Sequence, residues 1–577
     1  MNLLKKLPKS PSLPLALLGA VFLLTGLSLA GLIKNLQFSG PEYEYLRIPF
    51  FNDFIDSIIG AINRKQRIGR ELFWIIVFKT FGFNRIAFFL AVIFLHVISS
   101  IMFGLCLLRA FPQRPFFAAA AAMLAFTMPM PMAMNYYAMN TAPLSLLLFW
   151  ISIYSLQTWA KHNASLLVLA VSCVPYILSF TVYENAVLFI FAAPFFVIPI
   201  LAERCAGKLG EQFTTSVVKL GVAVFLAFLV VLGLRYGLQF GDVASTIKGL
   251  PKADAIAASL WNTGGYLVAP FHGLFSLDRP AMAFGAAFTA LSGSLLLGLP
   301  DYTEDTAFGI NRFLQGGWCL SGLGAALFVL GITPYLMAGN YAPSVSWDIG
   351  APRIFSSSGY GIAVLMALIP TLFKKRFFQT LLRIGVVALA GVWVAFWVGL
   401  RHDWETAADI HCDMWKGFVE QVPYVSGNTT FLFTDLRHNV GIVPVFDGSD
   451  SLMVFMQMLY TTPEMMGREH IYAYHSEPLL QSGNNESYFS TVTDEGLTTP
   501  LSKFTPDHPI IPPDSLVLVA REGRRLVITD KITASSGAHA IHWQGVSEIR
   551  TNFSRILPAP ADAPSIKERL KQVGSRC

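Results

Sequence analysis

The residues of this chain best placed for chemistry are carboxylates in the segment 34–85. Glu42 and Glu44 lie in a turn-prone stretch, and Asp53 directly precedes a run in which Phe and Ile recur at spacings of three and four. That spacing predicts a helix with one apolar stripe, too short to cross a bilayer and therefore expected to lie flat at its surface. Asp53 is either an acid serving a pocket at this surface or a charge that stabilises the helix N-terminus. For Glu42 and Glu44 the alternative is a solvated loop charge.

The chain changes composition near residue 400. Before it, long apolar runs alternate with short basic loops, and 54% of all 577 residues are hydrophobic whereas 14% are charged. Soluble domains carry about 25% charged residues. A spanning helix needs about 20 apolar residues, so we predict a polytopic α-helical membrane protein. The eleven predicted spans are 12–33, 86–108, 115–134, 141–159, 164–182, 185–202, 220–238, 281–299, 316–336, 358–373 and 382–400.

The basic residues of the loops predict which side of the membrane each loop faces. Each loop predicted to be cytoplasmic is basic when the N-terminus is placed inside, as the positive-inside bias requires. The long segments 34–85, 239–280 and 337–357 then lie outside, together with everything after the last span. The formal charge of +6 is explained by these loops, so we expect no nucleic-acid partner. The first apolar run is too long for a cleavable signal.

The predicted spans contain almost no charged residues in their interiors. A transporter commonly carries ionisable groups or broken helices near the bilayer midplane. Polar chemistry is therefore expected at the outer surface, which favours an enzyme or a binding protein acting there.

Several segments of the first 400 residues resemble one family. They are an outward acid before an amphipathic helix, Gly69–Arg70, the stretch ELFWIIVFKTFGF, Phe81–Gly82 with His96, Tyr183–Glu184, and the segment PYLMAGNYAPSVSWDIGAPRIF that contains Arg353. This pattern resembles the polytopic glycosyltransferases of the GT-C superfamily, which includes protein O-mannosyltransferases and aminoarabinose transferases. Family members often show paired acids, and the nearest match here is Asn52–Asp53.

The resemblance implies transfer of a sugar from a polyprenyl-phosphate donor to a glycan, lipid or protein acceptor at the extracytoplasmic face. A bacterial inner membrane is the expected location. Asp53 would be the catalytic base, with Glu44 and then Glu42 as substitutes, because an acceptor hydroxyl needs a carboxylate to take its proton. Arg353 would bind the donor phosphate, since a guanidinium matches phosphate oxygens; its alternative is an interfacial anchor. Glu184 and His272 would contact substrate. No cofactor is certain, and a divalent metal ion is left open.

Residues 401–577 are predicted to form a soluble extracytoplasmic α/β domain, distinct from the membrane domain 1–400. The pattern predicts a helix over about 404–422, a strand over 430–436 and a hairpin over 515–528. No P-loop, G-x-S-x-G, H-E-x-x-H or metal-ligand spacing occurs there, so acceptor binding or partner docking is the expected role. Cys412 and Cys577 are the two cysteines of this domain, and the sequence leaves open whether they form a disulfide. The rival functions are a non-catalytic scaffold or export subunit and a transporter.

Overall fold

The computed structural model describes most of the chain. The described residues are 13–33, 49–50, 52–64, 67–129, 136, 140–205, 210–237, 253–272, 277–299, 316–337, 357–373, 375–434, 438–440, 443–446, 449–460, 471–475, 490–498, 510–533, 541–561 and 563–573.

The described part of the first 400 residues consists of helices and the turns that join them. The helices are α1 (Leu13–Leu32), α2 (Phe54–Arg64), α3 (Ile68–Phe81), α4 (Arg85–Ala110), α5 (Pro115–Thr127), α6 (Ala142–His162), α7 (Leu166–Val182), α8 (Ala193–Arg204), α9 (Glu211–Leu232), α10 (Ala253–His272), α11 (Arg279–Leu296), α12 (Gly317–Met337), α13 (Gly359–Leu368) and α14 (Arg376–Gly399). Helix α15 (Arg401–Gln421) follows α14 with one residue between them.

These helices confirm a polytopic α-helical fold. Each predicted span overlaps a helix in its described part, and the span at 185–202 begins as 3-10 turns before α8. Within the described residues, five helices are long and apolar enough to cross a membrane: α1, α4, α9 with the turn after it, α12, and α14 together with α15. Shorter apolar helices include α5, α7 and α13. Helix α10 lies in the segment 239–280 that was expected to be an outer loop.

Small residues bring the apolar helices close together. A Cβ added at Gly361 of α13 would lie 2.3 Å from the backbone nitrogen of Phe328 on α12. A Cβ at Gly391 of α14 would overlap the side chain of Thr289 on α11, so only glycine fits at this position. Such close backbone approach is how helices associate where no water drives them together. Aromatic rings fill the remaining space, as in the Phe22–Phe126 stack with 4.2 Å between ring centres.

The chain divides into two compact units. The first contains residues 1–32, 58–73 and 88–401, and the second contains 33–57, 74–87 and 402–577. The second unit therefore includes two stretches from the beginning of the chain as well as its C-terminal part.

The second unit is built around a mixed sheet. Its strands are β1 (Tyr424–Val425), β2 (Thr430–Thr434), β3 (His438–Val440), β4 (Val443–Phe446), β5 (Tyr472–His475), β6 (Ser490–Thr493), β7 (Gly496–Thr498), β8 (Leu516–Glu522), β9 (Arg525–Ile528), β10 (Lys531–Thr533), β11 (Ile541–Trp543), β12 (Glu548–Arg550) and β13 (Ile556–Leu557). The largest sheet has the order β5-β2-β8-β9, in which β5, β2 and β8 are parallel and β9 is antiparallel.

Three elements of this unit were predicted from the sequence pattern. The helix α15, the strand β2 and the β8–β9 hairpin occur where they were expected. Gly523 lies in the hairpin turn with φ of 64°, a conformation that glycine adopts without strain. Helices α16 (Ser449–Tyr460) and α17 (Ile566–Gln572) complete the unit. Cys412 is disulfide-bonded, while Cys106, Cys173, Cys205 and Cys319 are free thiols. Cys577 lies outside the described residues.

Candidate functional site

An ion pair within the first unit joins the connection between α2 and α3 to the end of α7. Arg67 Nε donates to Glu184 Oε2 over 2.8 Å, and the two side chains are 11% and 14% exposed. The guanidinium of Arg67 also lies over the ring of Tyr183, 4.7 Å from its centre. Arg67 has a φ of 40°, which is uncommon for a residue other than glycine. Backbone strain of this kind is concentrated at functional sites.

Gly69 explains how the two segments approach so closely. A Cβ at this position would lie 2.6 Å from the hydroxyl of Thr181 and 2.8 Å from a methyl carbon of Val182. The first turn of α3 therefore lies directly against the last turn of α7, and glycine is the residue that this contact tolerates. The Gly69–Arg70 pair singled out in the sequence thus has a structural reason for its glycine.

Two further charged residues are buried in the first turn of α3. Arg70 is 6% exposed and Glu71 is 5% exposed. Charged side chains are seldom buried this completely unless they are paired. A carboxylate in the first turn is favoured by the helix dipole.

The beginning of α6 is fixed to the same turn. Ser145 Oγ donates to the carbonyl of Tyr183 over 3.0 Å. Just before it, Asn140 Oδ1 accepts from the backbone N–H of Ala142 over 3.2 Å, which occupies one of the orphan donors of the helix. We call the group of Arg67, Gly69, Arg70, Glu71, Ser145, Tyr183 and Glu184 the Glu184 site.

Asp53 directly precedes α2 and caps it. Its Oδ1 accepts from the backbone N–H of Asp56 over 2.8 Å, and the residue is exposed. Its backbone carbonyl accepts from the hydroxyl of Ser57. These contacts are the ones expected of a carboxylate that stabilises a helix N-terminus. A catalytic role for Asp53 stays a proposal.

The apolar stripe of α2 faces away from the protein. Phe54 is 45% exposed and Ile62 is 49% exposed, while Ile58 is half-buried. The opposite side packs inward through Ser57 and Ala61, which are both 0% exposed. This arrangement fits a helix that lies in a membrane surface.

The other predicted site residues are less fully described. Glu42, Glu44 and Arg353 lie outside the described residues. His272 is the last residue of α10, and its side chain is outside the described part.

Arg67 was not among the site residues predicted from the sequence. The sequence shows that Arg67 lies two residues before Gly69, but it does not show that Arg67 pairs with Glu184. Among the described residues, no group of three or more His, Cys, Asp and Glu side chains is arranged to hold a metal ion.

No family model and no curated protein sequence matches the chain. A solved structure does: the crystal structure of ArnT from Cupriavidus metallidurans bound to undecaprenyl phosphate. The match has 12% sequence identity and a TM-score of 0.35, and it covers 79% of this chain and 89% of that one. A likeness this distant decides no residue, donor or acceptor of the present chain.

Proposed function

We propose that this protein is a membrane glycosyltransferase. It moves a sugar from a polyprenyl-phosphate donor to a glycan, lipid or protein acceptor at the extracytoplasmic face. The observation that carries the proposal is the Glu184 site, where Arg67, Arg70, Glu71 and Glu184 are gathered in a unit made of apolar helices. Ionisable residues in such surroundings are costly, and they mark functional sites by default.

The charges present suit this reaction. A carboxylate takes the proton of the acceptor hydroxyl, and guanidinium groups stabilise the departing lipid phosphate. Asp53 is proposed as the base, with Glu44 and Glu42 as substitutes, and Arg353 as the phosphate contact. Glu184 and His272 are proposed to contact the donor sugar or the acceptor.

The disulfide at Cys412 supports the proposed orientation. Disulfides persist in oxidising compartments outside the cytoplasm. We infer that residues 402–577 are extracytoplasmic and that the N-terminus is cytoplasmic, in a bacterial inner membrane. A cysteine replacing the exposed Lys531 should react with a membrane-impermeant thiol reagent in intact cells. One replacing Lys161, which also is exposed, should not, and the reverse pattern would invert the orientation.

The proposal is tested by mass spectrometry of glycans and glycolipids from cells with and without the protein. A sugar should disappear from one acceptor class on deletion and return with the wild-type gene. Asp53→Asn should not restore it, because the amide cannot accept a proton. Glu184→Gln and Arg353→Lys should restore it weakly. A non-catalytic scaffold or export subunit is indicated instead if all three variants restore the sugar fully.

A further inference from the structure

Three apolar helices of the first unit begin or end close together. Helix α13 continues as a 3-10 turn, Ile369–Leu372, and α14 begins shortly after it at Arg376. Helix α12 begins beside this turn, because a Cβ at Gly317 would lie 3.1 Å from a methyl carbon of Leu372. Since α12 and α14 are among the helices long and apolar enough to cross a membrane, we expect these helix ends at a bilayer surface.

Large apolar side chains are exposed around this contact. Trp318, in the first turn of α12, is 88% exposed. Phe377 and Phe378, in the first turn of α14, are 73% and 46% exposed, and Phe373 is 45% exposed. Exposed aromatic rings at the ends of spanning helices are typical of a membrane interface, where such rings lie at the level of the lipid headgroups.

Two cations lie directly beside these rings. Lys375 and Arg376 precede Phe377 in sequence, and both side chains are exposed. Helix α12, residues 357–373 and α14 contain no Asp or Glu. These elements therefore supply no carboxylate that could balance the two positive charges.

The other arginine of α14 is used differently. Arg383 is buried, its Nη1 donates to the carbonyl of Leu299 over 2.9 Å, and its guanidinium lies over the ring of Phe116, 4.3 Å from the centre. Arg383 thus joins helices within the protein, whereas Lys375 and Arg376 present their charges on the surface.

We propose that this surface binds the headgroups of anionic phospholipids. We call it the lipid patch, and it consists of Trp318, Leu372, Phe373, Lys375, Arg376, Phe377 and Phe378. Cations next to a spanning helix are attracted to anionic lipid, and two of them raise the affinity about thirtyfold. A soluble acidic partner would match the charges alone, whereas a lipid also covers the exposed rings with its acyl chains. The inference goes beyond the proposed sugar transfer and does not depend on it.

Native mass spectrometry of the detergent-purified protein tests the proposal through the affinity for the first lipid retained. The probes are phosphatidylglycerol and phosphatidylcholine with identical acyl chains, titrated separately. The wild type should bind phosphatidylglycerol more tightly. The double variant Lys375→Gln with Arg376→Gln should lose about thirtyfold in affinity for phosphatidylglycerol and keep its affinity for phosphatidylcholine.

A second double variant controls for the overall charge of the protein. Lys161→Gln with Lys219→Gln removes two other exposed cations and changes the net charge equally, so it should keep the preference for phosphatidylglycerol. Trp318→Ala should weaken the binding of both lipids alike, because the ring lies at the interface whatever the headgroup charge.

Three results would overturn the proposal. The first is equal affinity of the wild type for the two lipids, and the second is an equal loss of phosphatidylglycerol binding in the two double variants. The third is a wild-type dimer that retains no phosphatidylglycerol and becomes a monomer in Phe377→Ala, which would assign the lipid patch to a second copy of the chain.

Discussion

Arg67 and Glu184 form an ion pair although 117 residues separate them in sequence. Arg67 lies between the two short helices α2 and α3, and Glu184 begins the turn that follows α7. Their contact, together with Tyr183 beneath the guanidinium, holds the start of α3 against the end of α7. The pair therefore lies at the centre of the Glu184 site and also holds two helices together.

We expect Arg67→Ala and Glu184→Gln to destabilise the protein, because each leaves a mostly buried charged side chain without its ion-pair partner. Breaking a buried pair costs up to about 3–5 kcal/mol. Thermal unfolding of the detergent-purified variants measures the effect. The double variant should lose less than the sum of the two single losses, since the two residues are coupled. Strict additivity would show that the pair contributes little.

Gly69→Ala should disrupt the contact between α3 and α7. The new methyl group would lie 2.6 Å from the Thr181 hydroxyl, so one of the two helices has to move. Gly221 is the control, because a Cβ there meets nothing within 4 Å and the residue lies inside α9. Gly221→Ala should be neutral or stabilising by up to about 1 kcal/mol. Equal melting temperatures for the two variants would contradict the packing described for Gly69.

The length and apolarity of the spans made the helical body predictable from sequence. Helix α10 was not predicted, because its buried face carries Ser259, Asn262, Thr263 and Tyr266, and these lower the apolarity of the run. The sequence shows that this run contains both polar and apolar residues, but it does not show which face of the helix is buried.

The candidate site was predictable only in part. Glu184 came from the family pattern, whereas Arg67 did not, because a contact across 117 residues is set by how α3 and α7 pack. The orientation of α2 was also misjudged at one position. A polar residue that interrupts an apolar stripe is expected to face water, but Ser57 is fully buried. Ser57 fits this buried position because its side chain is small, not because it is polar.

Charge should therefore be tolerated worse at Ser57 than at Ile59, which is 50% exposed. Ser57→Asp places a carboxylate where no water reaches, and burying an unpaired charge is strongly unfavourable. Ile59→Asp should leave the folded protein stable and weaken its hold on the bilayer surface. Expression level and melting temperature check the first effect, and quenching of a label on α2 by lipid-attached quenchers checks the second. A more severe loss of folding for Ile59→Asp would reverse this orientation of the helix.

Arg569 should stabilise the C-terminal end of the second unit. Its guanidinium donates to the carbonyls of Pro423 and Leu459 and lies over Tyr424 and Tyr460, 4.3 Å and 5.3 Å from the ring centres. Arg569→Lys keeps the charge but loses the planar group that makes these contacts together. We expect a lower melting temperature and faster proteolysis near α17. Lys571→Arg, on the exposed side of the same helix, is the control and should change neither.

The helix-capping contact of Asp53 and its proposed role as base are separated by different substitutions. As the cap of α2 it needs a side-chain oxygen, and Asp53→Asn keeps one, so the helix should remain about as stable as in the wild type. Asp53→Ala removes the cap and should cost about 1 kcal/mol of stability. As a base it needs a carboxylate, which both substitutions remove. Sugar transfer should then fall by a factor of about 10²–10⁴ in both variants, while donor binding changes little. If Asp53→Asn transfers sugar at the wild-type rate and Glu44→Gln or Glu184→Gln does not, Asp53 is a helix cap and the base is the other carboxylate.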